Sequence, residues 1–232
     1  MFKRLVAVGS IFAALVFPLA SVAKACQPAE TLQADSPEAF ASLEAATAPI
    51  NPANIDYPLL AEAIFHETNL RRQENGRRAL DHLIELDRAA CVHAQDMVES
   101  NFFAHRNPND PAKETPLDRV ENQDLKVGFV AENIAQTFAL QYESGTPVYT
   151  RQEDGETVFS YEAGGEILPP HTYQSFAADL LDQWMDSPGH RKNILAEEPS
   201  HLGAGCELME DDELGMPMLT CVQLFFDPLR GT

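Results

Sequence analysis

The residues best able to do chemistry in this chain are its 4 cysteines, Cys26, Cys91, Cys206 and Cys221, and its 7 histidines. No CxxC spacing occurs, so a zinc site built from the cysteines is not expected. An even cysteine count suits disulfides, with free buried thiols as the alternative. Cys206 and Cys221 flank an acidic, turn-like stretch, Met209 to Pro217, between two strand-like runs. That favours Cys206–Cys221 across a hairpin and leaves Cys26–Cys91. Ser160 and Ser187 are the obvious hydroxyls, but neither sits in a GxSxG context that would make it a nucleophile.

The N-terminus sets the compartment. Lys3 and Arg4 precede a broken apolar run, Leu5 to Leu19, and Ala23-Lys24-Ala25 offers a cleavage site before Cys26. Residues 1–25 therefore read as a signal peptide. The run is shorter than the roughly 20 residues a membrane span needs. Alternatives are an uncleaved anchor, or a lipid attached at Cys26; Ala23 and Lys24 argue against the second. Localisation is thus secreted or periplasmic, or lipid-anchored through Cys26, with no transmembrane segment after cleavage. Removing residues 1–25 takes Lys3, Arg4 and Lys24 and no acid, so 16 basic residues become 13 against 36 acids, a net charge of −23. Such a surface repels nucleic acid and anionic headgroups.

The elements that must position any site are mixed. Residues 26–55, rich in Ala and Pro, read as a linker or an arm over the domain, with a weak helix at 38–47. Residues 56–232 read as one domain. Leu59, Leu60, Ala63, Ile64 and Leu70 recur at helical spacing up to a stop at Gly76. A second helix runs from about Asp87 to Asn101. Thr115-Pro116-Leu117-Asp118 starts a short helix with Thr115 as cap. Asp154-Gly155 turns a hairpin insertion within 141–171. A helix follows from Tyr173 to Met185, Ser187-Pro188-Gly189-His190 breaks it, and two strands, Leu202–Glu207 and Leu219–Phe226, close the chain. Without a βαβ rhythm the fold class is α+β, helices stacked on a central antiparallel sheet.

Several segments, taken in order, carry a resemblance. They are His66-Glu67-Thr68-Asn69-Leu70-Arg71, Leu86 through Met97, Phe102-Phe103-Ala104-His105, Ala131-Glu132-Asn133-Ile134-Ala135, Trp184 through Leu195, Ser200 through Gly205 and Cys221 through Phe225. Together they resemble the CAP superfamily of cysteine-rich secretory, antigen 5 and pathogenesis-related proteins, in its bacterial branch. The resemblance implies a three-layer α–β–α sandwich. It also implies a cleft of two histidines and two acids that in some members holds zinc or another divalent cation. Carried over by motif, His105, Glu132 and His190 are the cleft residues. Two imidazoles and a carboxylate are a reasonable zinc set. The second acid is replaced by Ser187, a poor ligand, and Asp182 and Asp186 point elsewhere on the helix. The competing account is structural: His105 and Glu132 tie a loop to the core and His190 is a cap.

The remaining histidines rank lower: His93 as a core or boundary residue, His66 in the first helix, His82 in a loop, His201 before a closing strand. Asn69 reads as a buried hydrogen-bonding residue, Arg71 as an ion-pair partner and Asn133 as a brace for a loop presenting Glu132. Some eukaryotic members bind sterols and fatty acids, so the resemblance implies a binding module for a small amphipathic ligand, an envelope component or a protein partner. An enzyme is the less favoured reading; the alternative is a metal-assisted, peptidase-like hydrolase using His105, Glu132 and His190. A third possibility is recognition by the 141–171 hairpin.

Overall fold

The computed structural model describes residues 31–153, 155–210 and 215–229. Cys26 and the signal-peptide segment lie outside the described residues, and so do Asp154 and residues 211–214 in the acidic stretch.

Helix α1 spans Pro37–Ala41 and α2 spans Tyr57–Glu74, where Asp56 accepts from the Leu59 N–H. Strand β1 is the two-residue Asp81–His82, and α3 spans Ile84–Glu99. Helix α4 spans Pro116–Glu121 behind a reciprocal Thr115/Asp118 capping box. Strand β2 spans Val127–Phe138; β3 (Tyr149–Glu153) and β4 (Glu156–Ser160) form the expected hairpin. Helix α5 spans Tyr173–Asp186, capped by Thr172 and Ser175, and α6 spans Pro188–Ile194. Strands β5 (His201–Glu210) and β6 (Pro217–Pro228) close the chain. Helices α1, α2, α4 and α5 start at a side-chain cap, whereas α3 and α6 start without one.

The central sheet runs β1-β5-β6-β2. It is antiparallel except for β1, which pairs parallel with β5 through His82 opposite Leu202. His82 is therefore in a strand, not a loop, and its Nε2 lies 2.6 Å from buried Asp87. That carboxylate also accepts from the Ala204 N–H at 2.8 Å, so one acid ties α3 to the sheet edge. Helix α3 starts at Ile84, ahead of the expected Asp87, and α6 includes Gly189 and His190 rather than starting after them.

Period-two alternation sorts the sheet into two faces. Leu202, Ala204, Cys206, Leu219, Cys221 and Phe225 pack with α2 and α5. Val222, Leu224, Phe226 and Ile134 pack with α3 and Val120 of α4. The result is a three-layer α–β–α sandwich. The N-terminal arm contributes Phe40, Ala46 and Ile50 to the first cluster, and the hairpin has a small core of its own around Phe159, Leu168 and Met216. Cys206 and Cys221 face each other in the β5–β6 register and are disulfide-bonded, as their spacing suggested. Cys91 is not free, but the Cys26–Cys91 pairing falls on Cys26, outside the described residues.

Glu207 of β5 carries a local cost. Its Oε2 is buried and has no hydrogen-bond partner among the described residues. Burial, then the charge of Glu99, pushes its carboxyl up to about 6. The folded state therefore holds a proton that the unfolded chain has lost, and stability falls as pH rises from about 4.5 through 6. Glu207→Gln is expected to raise the melting temperature at pH 7.5 relative to wild type and to leave it nearly unchanged at pH 4. Because the residue is half-exposed, the gain stays below about 1 kcal/mol. Thermal melts at the two pH values check this.

Candidate functional site

The site is built from four elements. After α3 ends, the chain turns through Asn101, at a φ of 50°, and runs past Phe102 to His105. Strand β2 delivers Glu132 from the sheet. Helix α4 delivers Arg119. Helix α6 delivers His190.

Glu132 is the pivot. It lies on a strand, not on a loop, which makes its position as rigid as the sheet. Its Oε1 accepts from His105 Nδ1 at 2.8 Å and its Oε2 accepts from Arg119 Nη2 at 2.6 Å. Glu132 and Arg119 side chains are each about 1% exposed. A buried carboxylate stays charged only with such a partner. The same guanidinium donates to the carbonyls of His105, at 3.0 Å, and Lys113, at 3.0 Å, so it also holds the loop that carries His105.

His105 differs from its partners in being open. Its side chain is 51% exposed although Nδ1 is fixed. With Nδ1–H bonded to a carboxylate, Nε2 is the nitrogen left to face solvent or a ligand. His190, on the first turn of α6, is half-buried. Burial, and then the nearness of His105, lowers its pKa, so it is neutral at pH 7. Ser187 stands at the α5–α6 junction as a backbone cap whose hydroxyl makes no capping bond. Asp182 pairs with Arg71 of α2 at 3.1 Å and so takes no part, as its helical position indicated.

A chain of amides fixes α6 to the sheet. Asn133 Nδ2 donates to the His190 carbonyl at 3.3 Å and to Gln223 Oε1 at 3.1 Å. Asn193 donates to Asn133 Oδ1 at 2.9 Å and to the Glu132 carbonyl at 3.2 Å. Gln223 donates to Thr68 of α2 at 2.6 Å. Asn133 thus braces a helix rather than a loop. Asn69 is buried and closes both hydrogen bonds with the backbone of Leu80. Arg71 pairs with Glu67 and Glu74.

Arg119 was not singled out in the sequence, and His93 was read there only as a core or boundary residue, which its burial bears out. Arg119 follows a capping motif that explains a helix but announces no role for its fourth residue. His93 is wholly buried under the site, and its Nε2–H donates to the Ala104 carbonyl at 2.9 Å. That nitrogen lies 4.0 Å from Glu132 Oε1. Burial holds His93 below the usual imidazole value. It supports the His105 loop from beneath.

The metal expectation does not fit this arrangement. Arg119 occupies one oxygen of Glu132 and His105 the other, so a cation there would face a guanidinium across the carboxylate. Among the described residues no three His, Cys, Asp or Glu side chains are grouped to hold a metal ion.

Comparisons with known proteins give one family match and several similar proteins. The model of the cysteine-rich secretory protein (CAP) family matches residues 65–225. An uncharacterised protein of Bacillus subtilis, YkwD, is 26% identical over 138 residues, covering 60% of this chain and 38% of its own length. A crystal structure of an extracellular SCP-domain protein from Bacillus anthracis is 23% identical, with a TM-score of 0.49, covering 77% of this chain and 44% of that one. A cysteine-rich secretory protein from Staphylococcus aureus is 13% identical, with a TM-score of 0.44, over 74% of this chain and 40% of that one. The chain spans less than half the length of these relatives. No helix among the described residues is long and apolar enough to cross a membrane.

Proposed function

Since the chain belongs to the cysteine-rich secretory protein (CAP) family, we propose that it is an exported binding module. His105 and His190 are the contact residues for a small amphipathic ligand, an envelope component or a protein partner. One observation carries this reading: an open imidazole held from behind by a buried carboxylate and guanidinium. The second ring nitrogen is left in water with no protein group committed to it, free to exchange water for a ligand. Here the ring is oriented before any ligand arrives, which lowers the ordering cost of binding. His190, being neutral, adds a hydrogen-bonding group rather than a charge, and the Ser187 hydroxyl stands three residues away. Export is supported by the Lys3/Arg4 and apolar N-terminal segment, by the Cys206–Cys221 disulfide and by the acidic composition.

The metal-assisted hydrolase is not favoured, because Glu132 is committed to Arg119 and His105. The test takes protein recovered from the envelope or the medium and titrates it calorimetrically against a panel of lipids and envelope fragments. At least one panel member should bind, and His105→Ala should weaken that binding at least about tenfold at a temperature where both proteins are folded. Recovery from the cytoplasm alone, or no response across the panel, would sink the proposal.

A further inference from the structure

Glu132 does more than anchor the His105 loop, because of what its two oxygens meet. Arg119 is a donor and never an acceptor, and its Nη2 lies 2.6 Å from Oε2. The other oxygen meets His105 Nδ1 at 2.8 Å. An ionised carboxylate accepts and does not donate, so a neutral His105 ring keeps its one proton on Nδ1. Both members of the ion pair are about 1% exposed, so bulk water does not compete for these bonds. His93 does not compete either: its Nε2 is 4.0 Å from Oε1 and donates instead to the Ala104 carbonyl at 2.9 Å.

Placing the proton on Nδ1 sets the other side of the ring. Nε2 then carries a lone pair and no hydrogen, on a side chain that is 51% exposed. The polarity of the open nitrogen is thus decided by a buried guanidinium two bonds of the network away.

We propose that Arg119 and Glu132 form a polarity relay that makes His105 a dedicated hydrogen-bond acceptor, so that the cleft takes ligands whose head group donates, a hydroxyl or an ammonium, over those with a carboxylate head. This inference rests on the binding role proposed for His105 above and adds the chemical class of the group it meets. A carboxylate head sets its own lone pairs against that of Nε2. A hydroxyl or ammonium head supplies the missing proton, and an ammonium is also favoured by the field of an acidic chain. His190, neutral and half-buried, offers one donor and one acceptor, so it discriminates less. Arg119 and Glu132 are positioning residues, acting on the ligand only through the ring.

Glu132→Gln tests the relay, because Arg119 leaves the amide one orientation. The guanidinium holds the amide oxygen, so the amide N–H turns to Nδ1, which must then accept. The ring proton moves to Nε2 and His105 becomes a donor. The experiment uses the mature chain with labelled ring nitrogens at about pH 8, above the usual imidazole range. Nitrogen NMR reads the His105 tautomer, and calorimetry with octanol, octylamine and octanoate, all below micelle formation, reads the preference. Wild type is expected to show the Nδ1–H tautomer and to bind octanol and octylamine at least about fivefold more tightly than octanoate. Glu132→Gln is expected to show the Nε2–H tautomer and to lose or invert that preference. Mere loosening of the loop would weaken all three ligands alike and leave the proton where it was. An Nε2–H tautomer in wild type overturns the relay, whether or not the variant folds, and so does a variant that keeps the wild-type preference. Octanoate bound as tightly as octanol, with both lost in His105→Ala, overturns the selectivity and leaves the binding role standing. No response to any of the three also overturns the selectivity, while the wider panel above still decides the binding role.

Discussion

Replacing Arg119 by Met is expected to destabilise the protein by about 3–5 kcal/mol, the range for removing one partner of a buried ion pair. The cause is what remains. Glu132 would be left at about 1% exposure with its Oε2 unpaired and only the rings of His105 and His93 nearby. The carbonyls of Lys113 and His105 would lose their donor as well. Methionine fills similar volume, so little of the loss comes from a cavity. Adding Glu132→Gln should recover part of it, because a neutral amide needs no counter-charge; urea denaturation of both variants measures the difference. The loop is also expected to loosen around His105 in the single variant, which hydrogen exchange at residues 103–107 would report. A loss under about 1 kcal/mol for Arg119→Met would mean that the pair is not the anchor described above.

Gly205→Ala is the second large effect, at about 3 kcal/mol or more, at or above the upper end of the usual overpacking cost. Strand β5 presents Gly203 and Gly205 to α3, and a Cβ at Gly205 would sit 2.6 Å from Cys91 Cα and 2.9 Å from Cys91 Cβ. At Gly203 it would meet the Asp87 N at 2.6 Å. The obstacle is helix backbone, which cannot rotate aside. The whole helix would have to lift from the sheet, opening the contacts of Leu86, Ala90 and Ala94 with Val222 and Leu224. Gly189→Ala supplies the contrast. Nothing lies within 4 Å of its added Cβ, and it sits in α6, so alanine should be neutral or stabilise by up to about 1 kcal/mol. Equal melting temperatures for the Gly205 and Gly189 variants would refute the close-packing account.

Much of the architecture was legible because its signals are local. Asp56, Thr115 and Thr172 each accept from a backbone N–H three residues on, a relation written in adjacent residues. Two strand-like runs flanking a turn-like stretch foretold an antiparallel pair, and Cys206 opposite Cys221 followed from that pairing. The resemblance brought His105 and Glu132 into one cleft, the competing structural account had them tie a loop to the core, and they meet at 2.8 Å. Pairings with a two-residue strand are not legible in this way. Asp81 and His82 are too few to show a period, and their partner is about 120 residues away, so His82 looked like a loop residue.

The sequence by itself determined most of the helices, the antiparallel β5–β6 pair and the acidic charge balance. Those properties rest on caps, periodicity and charge counts, all carried by neighbouring residues. The tertiary structure alone decided what Glu132 can do. Its second oxygen went to Arg119, a residue 13 positions away with no pattern to mark it, and that contact turned a plausible metal ligand into half of a buried ion pair. It also decided that His66 of α2 ends buried and that His93 ends beneath the His105 loop. Burial depends on what packs across a face, and that is set by the whole chain's folding rather than by any local stretch of it.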